Sequence, residues 1–564
     1  MIRSKKSYIA EILLEHKLIT EEQLNLALEQ QKKTDKKIGQ ILVELGFIKE
    51  DKLLELLSHQ LNIPYIDLKH FTIDPPTVKL LPEFYARHYR AIILKKEDNK
   101  LLVGMVDPTN LLAREEIESV LNKKINLALI REEDFLPILD NIYRHAEEIT
   151  QFAGELSAEL QTNDLDVWTA TEELTSKDIP VVNLLRSIFE DAAQMNASDI
   201  HIEPGENILR IRLRIDGLLQ EQVLNEKDIT HALVQRIKLM SGLNIAEKRL
   251  PQDGRFSIHV RKRNYDIRVS TLPQQHGESV VMRLLNQSAE LLQIEQLGMP
   301  AELYQYYAQA LLAAYGILLI VGPTGSGKTT TLYASLNRLN SPEDKIITVE
   351  DPVEYRIERI NQVQVNPQID LTFANVLRSI LRQDPDIIMI GEIRDKETLE
   401  IALRAAMTGH LVLATLHTND SISTITRLLD MGAEGYLLAG VLRAILAQRL
   451  VRRICSKCIQ NATLTPAEQA WVTSIDPKYA NQSFKHGAGC TYCRQTGYLG
   501  RQGVFEILPI SSSLTTALRE NNTSAFYNLA VKETLYHPLT HVGLEMATHG
   551  ITTVDEIIRM AGAI

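Results

Sequence analysis

The sequence predicts a multidomain α/β protein, and three observations carry that expectation. The motif Gly322-Pro323-Thr324-Gly325-Ser326-Gly327-Lys328-Thr329 has the form GxxxxGK[ST] and lies between the apolar run Ile317 to Val321 and a helix-forming stretch, Thr330 to Leu339. Further apolar runs end in carboxylates or a histidine, as strands do where ligands meet the carboxyl edge of an open sheet. The first 60 residues repeat with a period of 29, in a pattern of helical stripes.

Bulk properties narrow the class. At 564 residues the chain has room for roughly three or four domains. Its 45% hydrophobic and 24% charged content is that of a globular protein. No run approaches the roughly 20 apolar residues of a membrane span, and Glu11, Glu15, His16 and Lys17 interrupt the N-terminal apolar stretch, so no signal peptide is expected. The expected location is cytoplasmic, with any membrane contact made through a partner. A net charge of −11 disfavours binding to a nucleic-acid polymer. Four cysteines in so long a chain argue for metal or chemistry rather than disulfides.

In order along the chain, residues 1–62 read as a tandem helical repeat. Ile9, Ile12, Leu13, Glu15, Ile19, Leu24, Leu28 and Gln31 recur as Ile38, Ile41, Leu42, Glu44, Ile48, Leu53, Leu57 and Gln60. Each unit is a helical stripe, a short break and a second stripe, the latter opened in the first unit by the N-cap residue Thr20. Residues 63–145 alternate strand-like and helical runs, a small α/β domain. Residues 146–178 are rich in Glu, Thr, Ser and Asp and read as a partly helical linker. Residues 179–290 mix a helix opened by Pro180 with strands at Leu209 to Leu213, Ser257 to Val260, Tyr265 to Ser270 and Val280 to Leu284. Residues 291–564 hold the phosphate loop, a tetracysteine zinc subdomain at 450–505 and a helical C-terminal tail.

The chemistry concentrates around the loop. A glycine-rich turn feeding a helix points backbone N–H groups and the positive helix end at one spot, which suits phosphate. Lys328 reaches the outer phosphates of a nucleotide, and the Thr329 hydroxyl is placed to hold Mg²⁺. Splitting such a phosphate needs an oriented water and balanced charge more than covalent help. Glu350, in Val349-Glu350-Asp351-Pro352-Val353-Glu354, is the first choice to orient water. Glu392, in Ile390-Gly391-Glu392-Ile393-Arg394-Asp395, stands where a Walker B strand more often has Asp. His417, in Ala414-Thr415-Leu416-His417-Thr418, is placed to read the γ-phosphate as a donor. Charge-balancing arginines are sought on the strand pair carrying Arg212, Arg214 and Arg268. Each of these residues alone is more often a solvated cap or a surface ion pair; the expectation rests on carboxylates and histidine following one loop on successive strands.

The cysteines form two knuckles, Cys455-x-x-Cys458 and Cys490-x-x-Cys493, with 31 residues between them. Paired knuckles suit tetrahedral thiolate binding of Zn²⁺, and the nearby Gly487, Gly489, Gly497 and Gly500 permit tight turns. Buried free thiols and a redox pair are the alternatives.

These blocks together (GPTGSGKT, VEDPVE, LRQDPDIIMIGEIRD, GHLVLATLHTND and the paired CxxC) resemble the secretion and pilus-assembly ATPase family of type II secretion and type IV pilus systems, over Ile179 to Ile564. The N-terminal repeat and the stretch from Phe484 are similar to the extension branch serving mannose-sensitive haemagglutinin (MSHA) pili. Retraction motors of the wider family generally lack the tetracysteine insert. The resemblance implies a P-loop (RecA-like) ATPase core working as a homohexamer. ATP would lie between the two α/β domains of the motor half. The motor would be peripherally associated with the inner membrane through a platform protein and would add pilin subunits. It further implies that Gly322 to Thr329 bind ATP and Mg²⁺, Glu350 is the catalytic carboxylate, Glu392 takes the Walker B role, His417 is a sensor, and Arg212, Arg214 and Arg268 are the candidate inter-domain or inter-subunit arginines.

The repeat also resembles a domain that binds cyclic di-GMP in some members, as two 24-residue motifs joined by five residues: Tyr8 to Gln31, then Lys37 to Gln60. That pattern opens each motif with a basic residue, an aliphatic and a glycine, and keeps a second glycine at the helix break. The second motif has Lys37-Ile38-Gly39 and Gly46; the first has Tyr8-Ile9-Ala10 and Lys17. The rival reading is a helical module that docks a platform partner. For the whole chain, type II secretion is the close alternative to pilus extension, and a slow-turnover nucleotide-binding scaffold is the second.

Overall fold

A computed structural model of the chain describes residues 18–31, 38–48, 50–68, 71, 73–97, 100–143, 146–162, 179–261, 263–287 and 292–562. Tyr8, Ile9, Ala10, Lys17 and Lys37 of the repeat, and residues 163–178 of the expected linker, lie outside these. The chain divides into two compact units: Met1–Arg144 with the short segment Cys490–Gln495, and His145–Gly489 with Thr496–Ile564. Among the described residues no helix is long and apolar enough to cross a membrane.

In the first unit, helices Glu21–Gln31, Ile38–Glu44 and Glu50–Leu61 close on a small core of Ile19, Ala27, Ile38, Ile41, Leu42, Ile48 and Leu53. Six of these seven, all but Ala27, are positions of the sequence repeat, whereas its stripe position Leu28 is exposed. Thr20 caps its helix as expected: its Oγ1 accepts from Gln23 N at 3.3 Å while Gln23 Oε1 accepts from Thr20 N at 2.9 Å. Gly46 ends the second helix at φ +70°, with Phe47 N donating to Leu42 O and Gly46 N to Val43 O. That left-handed closing turn is the conformation glycine adopts most readily. The α/β part has strands β1 (Ala91–Glu97), β2 (Lys100–Met105) and β3 (Ile125–Leu129), antiparallel then parallel, over a separate core.

The second unit contains two sheets. The first is antiparallel, in the order β6-β5-β4-β9-β8-β7, built from β4 (Asp199–Pro204), β5 (Leu209–Ile215), β6 (Leu218–Leu224), β7 (Gln252–Val260), β8 (Arg263–Gln274) and β9 (Gly277–Asn286). Strand alternation sends Leu209, Ile211, Leu213 and Ile215 into the core and leaves Arg210, Arg212 and Arg214 on the open face. Helices Ile179–Gln194 and Ile229–Met240 pack on the apolar face. Within the expected linker, Ala146–Thr162 forms a helix that buries Ile149, Ala153 and Leu156 in the same core, so this half of the segment is packed structure.

The larger sheet runs β12-β11-β13-β14-β10-β15-β18. Its members are β10 (Gly316–Val321), β11 (Ile346–Glu350), β12 (Asn361–Gln364), β13 (Ile387–Ile390), β14 (Leu411–Leu416), β15 (Leu442–Ile454) and β18 (Tyr498–Pro509). All pairings are parallel except the last. Helices cover both faces, so β10 is buried at all six positions: Ile317, Leu319 and Val321 enter one core, Leu318 and Ile320 the other. This double burial is why the sequence there is a continuous apolar run. A hairpin of β16 (Ile459–Ala462) and β17 (Phe484–Gly487) and the capped helix Pro466–Ile475 lie between β15 and β18. Four helices, Ser512–Arg519, Thr523–Ala530, Leu539–Thr548 and Val554–Ala561, form the tail.

Candidate active site

The parallel register gathers the predicted residues at one edge. Val321 pairs with Leu416, so Gly322 and His417 follow side by side; Val349 pairs with Ile390 and Ile390 with Ala414, so Glu350 and Glu392 emerge on adjacent tips. The carboxyl edge of a parallel sheet is where such folds bind ligands.

The phosphate loop joins β10 to the helix Lys328–Leu339. Gly322 sits at φ +152°, and a Cβ there would lie 2.5 Å from Gln448 O and 2.6 Å from Ser326 Oγ. Lys328 folds back over the loop, donating from Nζ to Gly322 O at 2.7 Å and Pro323 O at 3.0 Å. Burial pushes its ammonium down to about 8; Glu392 opposes the shift and Arg449 adds to it. Ser326 Oγ is buried without a hydrogen-bond partner. A cation short of counter-charge and an orphaned hydroxyl in a turn that excludes Cβ atoms fit a polyphosphate, and Thr329, exposed in the first helical turn, is placed to help hold its Mg²⁺.

Glu350 ends β11 and is 3% exposed. Thr348 Oγ1 at 2.5 Å and Gln362 Nε2 at 3.1 Å donate to its Oε1, and Tyr333 Oη donates to its Oε2. Glu392 follows β13, accepting from Arg394 on one oxygen and lying 3.1 Å from His417 Nε2 on the other. Burial pushes the Glu392 carboxyl up, but Arg394 and His417 outweigh it and hold the group below the usual carboxylate range.

The three arginines separate. Arg212 pairs with Glu203 and Arg214 with Asp199, neighbours on their own sheet. Arg268, on β8, crosses to the loop after β11, donating to Val353 O at 3.0 Å and pairing with Glu354 at 2.8 Å. Residues not anticipated from the sequence complete the surroundings. Gln448, 2% exposed, accepts from Thr331 Oγ1 at 2.7 Å; Arg449, 4% exposed, donates to Gln448 O at 3.1 Å and Asn419 O at 2.7 Å. Their signal was a polar pair inside the apolar run Leu446 to Val451. Tyr333 carried no sequence signal beyond its place on the loop's helix.

The cysteines converge. The four Sγ atoms of Cys455, Cys458, Cys490 and Cys493 lie within 4.8 Å of one another, with Cys458 half-buried and the others buried. Cys490 and Cys493 Sγ are 3.7 Å apart, close to the ~3.8 Å edge of a tetrahedron with Zn–S bonds of about 2.3 Å. A Cβ at Gly487 would lie 2.0 Å from Gly497 O, so the knuckle's close backbone approach requires glycine. The donor set fits zinc.

A phosphate loop on a parallel sheet, with carboxylates and a histidine at neighbouring strand tips, defines a P-loop nucleotide hydrolase. A family model described as "Type II/IV secretion system protein" matches residues 174–559, and one described as "MshEN domain" matches residues 61–149. The chain is 38% identical over 554 residues to the type IV pilus assembly ATPase PilB of Myxococcus xanthus (strain DK1622), covering 98% of each chain. It is equally 38% identical over 568 residues to the type II secretion system protein E of Xanthomonas campestris pv. campestris, covering 99% of each. The X-ray structure of the Yersinia pseudotuberculosis ATPase DotB shares the fold at a TM-score of 0.51 and 21% identity, over 71% of this chain and 97% of that one. The chain belongs to the type II/IV secretion system protein family and is an ATPase of its secretion and pilus-assembly branch.

Proposed function

We propose that this ATPase powers extension of a type IV pilus of the MSHA type, as a homohexamer on the cytoplasmic side of the inner membrane acting on a platform protein. The tetracysteine cluster supports a motor that assembles rather than retracts, and the likeness along the whole chain to a type IV pilus assembly ATPase supports the pilus reading. In the cycle, the loop amides and Lys328 hold the phosphates of ATP. Thr329 would help hold Mg²⁺, which when bound would neutralise phosphate charge. Glu350 orients the attacking water, Glu392 takes the Walker B position, and His417 senses the γ-phosphate. Arg212 and Arg214, once freed from their carboxylate partners, are the arginines proposed to balance charge at a nucleotide, whereas Arg268 is engaged with Val353 and Glu354. Cyclic di-GMP is the proposed regulator, held by Lys37, Ile38, Gly39 and Gly46.

The equal likeness to a type II secretion protein E supports a second reading, pseudopilus assembly for protein export. Replacing the chromosomal copy with Lys328→Ala separates them. Lost surface pili with normal exoprotein release is expected; retained pili with exoproteins trapped in the periplasm assigns the chain to secretion. A purified protein that turns over no faster than once per assembly would return it to a scaffold role.

A further inference from the structure

Tyr333, five residues after Lys328, joins elements that no motif connects. Its buried hydroxyl donates to Glu350 Oε2 and accepts from Glu354 N at 3.0 Å. Its ring meets Tyr355 edge-on, 5.9 Å between centroids. The same two-residue stretch, Val353-Glu354, is the one Arg268 grips from β8. Glu350 Oε1 has two donors, Thr348 and Gln362, whereas among the described residues Oε2 has only the tyrosine. Removing that one donor leaves the carboxylate anchored at one oxygen and free to turn about it. Burial and the neighbouring Glu350 push the Tyr333 hydroxyl well above its ordinary value, so it stays protonated and donating.

We propose that Tyr333 is a positioning residue for Glu350, and that Arg268 acts on hydrolysis through it: the six-stranded domain holds Val353-Glu354, that stretch holds the tyrosine hydroxyl, and the hydroxyl sets the carboxylate. Movement between the two α/β domains of the motor half then reaches the water-orienting group through three side chains, with Arg268 touching no phosphate. This rests on the role proposed for Glu350.

The test is a double-mutant cycle in the full-length protein, reading kcat, KM for ATP and affinity for a non-hydrolysable analogue. Tyr333→Phe keeps the ring and is expected to lower kcat about tenfold or more, with KM and analogue affinity within about twofold of the parent. Arg268→Ala is expected to lower kcat in the same way, and the double variant to be no slower than Tyr333→Phe alone. Glu354→Gln, which breaks the ion pair but keeps the amide donor, should reproduce Arg268→Ala. A Tyr333→Phe protein with unchanged kcat overturns the proposal. So do losses that multiply in the double variant, or a raised KM in Arg268→Ala, since either puts Arg268 at the nucleotide. Lys328→Ala distinguishes the two levels: turnover surviving there defeats the whole site, while lost turnover there with a fully active Tyr333→Phe defeats only the tyrosine relay.

Discussion

His417 Nε2 lies 3.1 Å from Glu392 Oε2, tying the tip of β14 to the tip of β13 beside the phosphate loop. Because Arg394 and His417 outweigh burial and lower the Glu392 carboxyl, its charged form is favoured by folding. That contribution is complete above the ordinary value of 4.5 and fades as pH falls through the lowered one. Glu392→Gln should therefore flatten the loss of stability in acid unfolding below that pH. At neutral pH it should cut turnover by roughly 100-fold while analogue binding persists. A variant hydrolysing ATP at the parent rate contradicts the assignment.

Lys328 makes nucleotide binding sensitive to alkaline pH. With its ammonium at about 8 in the free protein, a growing share is neutral as pH rises from 8 toward its ordinary value. Bound phosphates favour the charged form and draw a proton back. Titration calorimetry at pH 8.5 in buffers of different ionisation heat should show net proton uptake, absent in Lys328→Met, and analogue affinity should weaken as pH climbs past 8.

The thiolate cluster predicts one zinc ion per chain by elemental analysis. Cys490→Ser should lose it and lower the melting temperature by on the order of 10 °C, because structural metal binding is folding free energy. Strong chelators should do the same to the parent protein. Metal-free protein with an unaltered melting curve would leave the cluster as buried thiols.

Gly46→Ala tests the turn inside the repeat, and Lys37→Ala separates the two readings of it. The φ of +70° at Gly46 makes any side chain there unfavourable, although a Cβ meets open space within 4 Å. Gly46→Ala should thus cost about 1 kcal/mol through the backbone alone. If the second motif binds cyclic di-GMP, titration of the full-length parent should show binding in the micromolar range that Lys37→Ala weakens at least about tenfold, with ATPase activity responding to the ligand. No binding at high micromolar concentration leaves only the docking role.

Much of this was legible because it is local. The phosphate loop needs its glycines within eight residues, the knuckles need Cys-x-x-Cys, and β10 needs an apolar run for a strand covered on both faces. The strands left unread were β3, β4, β6, β12 and β15 to β18. Of these, β6 and β12 lie at sheet edges and expose much of Leu218–Leu224 and Asn361–Gln364, so their sequences lack a clean apolar alternation. The helix Ala146–Thr162 was obscured by its acidic solvent face, though Ile149, Ala153 and Leu156 hold one helical stripe.

By itself the sequence picked out the candidate groups for phosphate, water and metal, and the strand tips on which they stand, since those are matters of short-range spacing. Tertiary structure alone decided their partners. Arg268 crosses to the second domain while Arg212 and Arg214 are held by Glu203 and Asp199 on their own sheet, and Gln448 and Arg449 come beside the loop through the pairing of Val321 with Ala447. Those choices follow from strand order and register, at the extreme between Val321 and Ala447, more than a hundred positions apart, which no local pattern encodes.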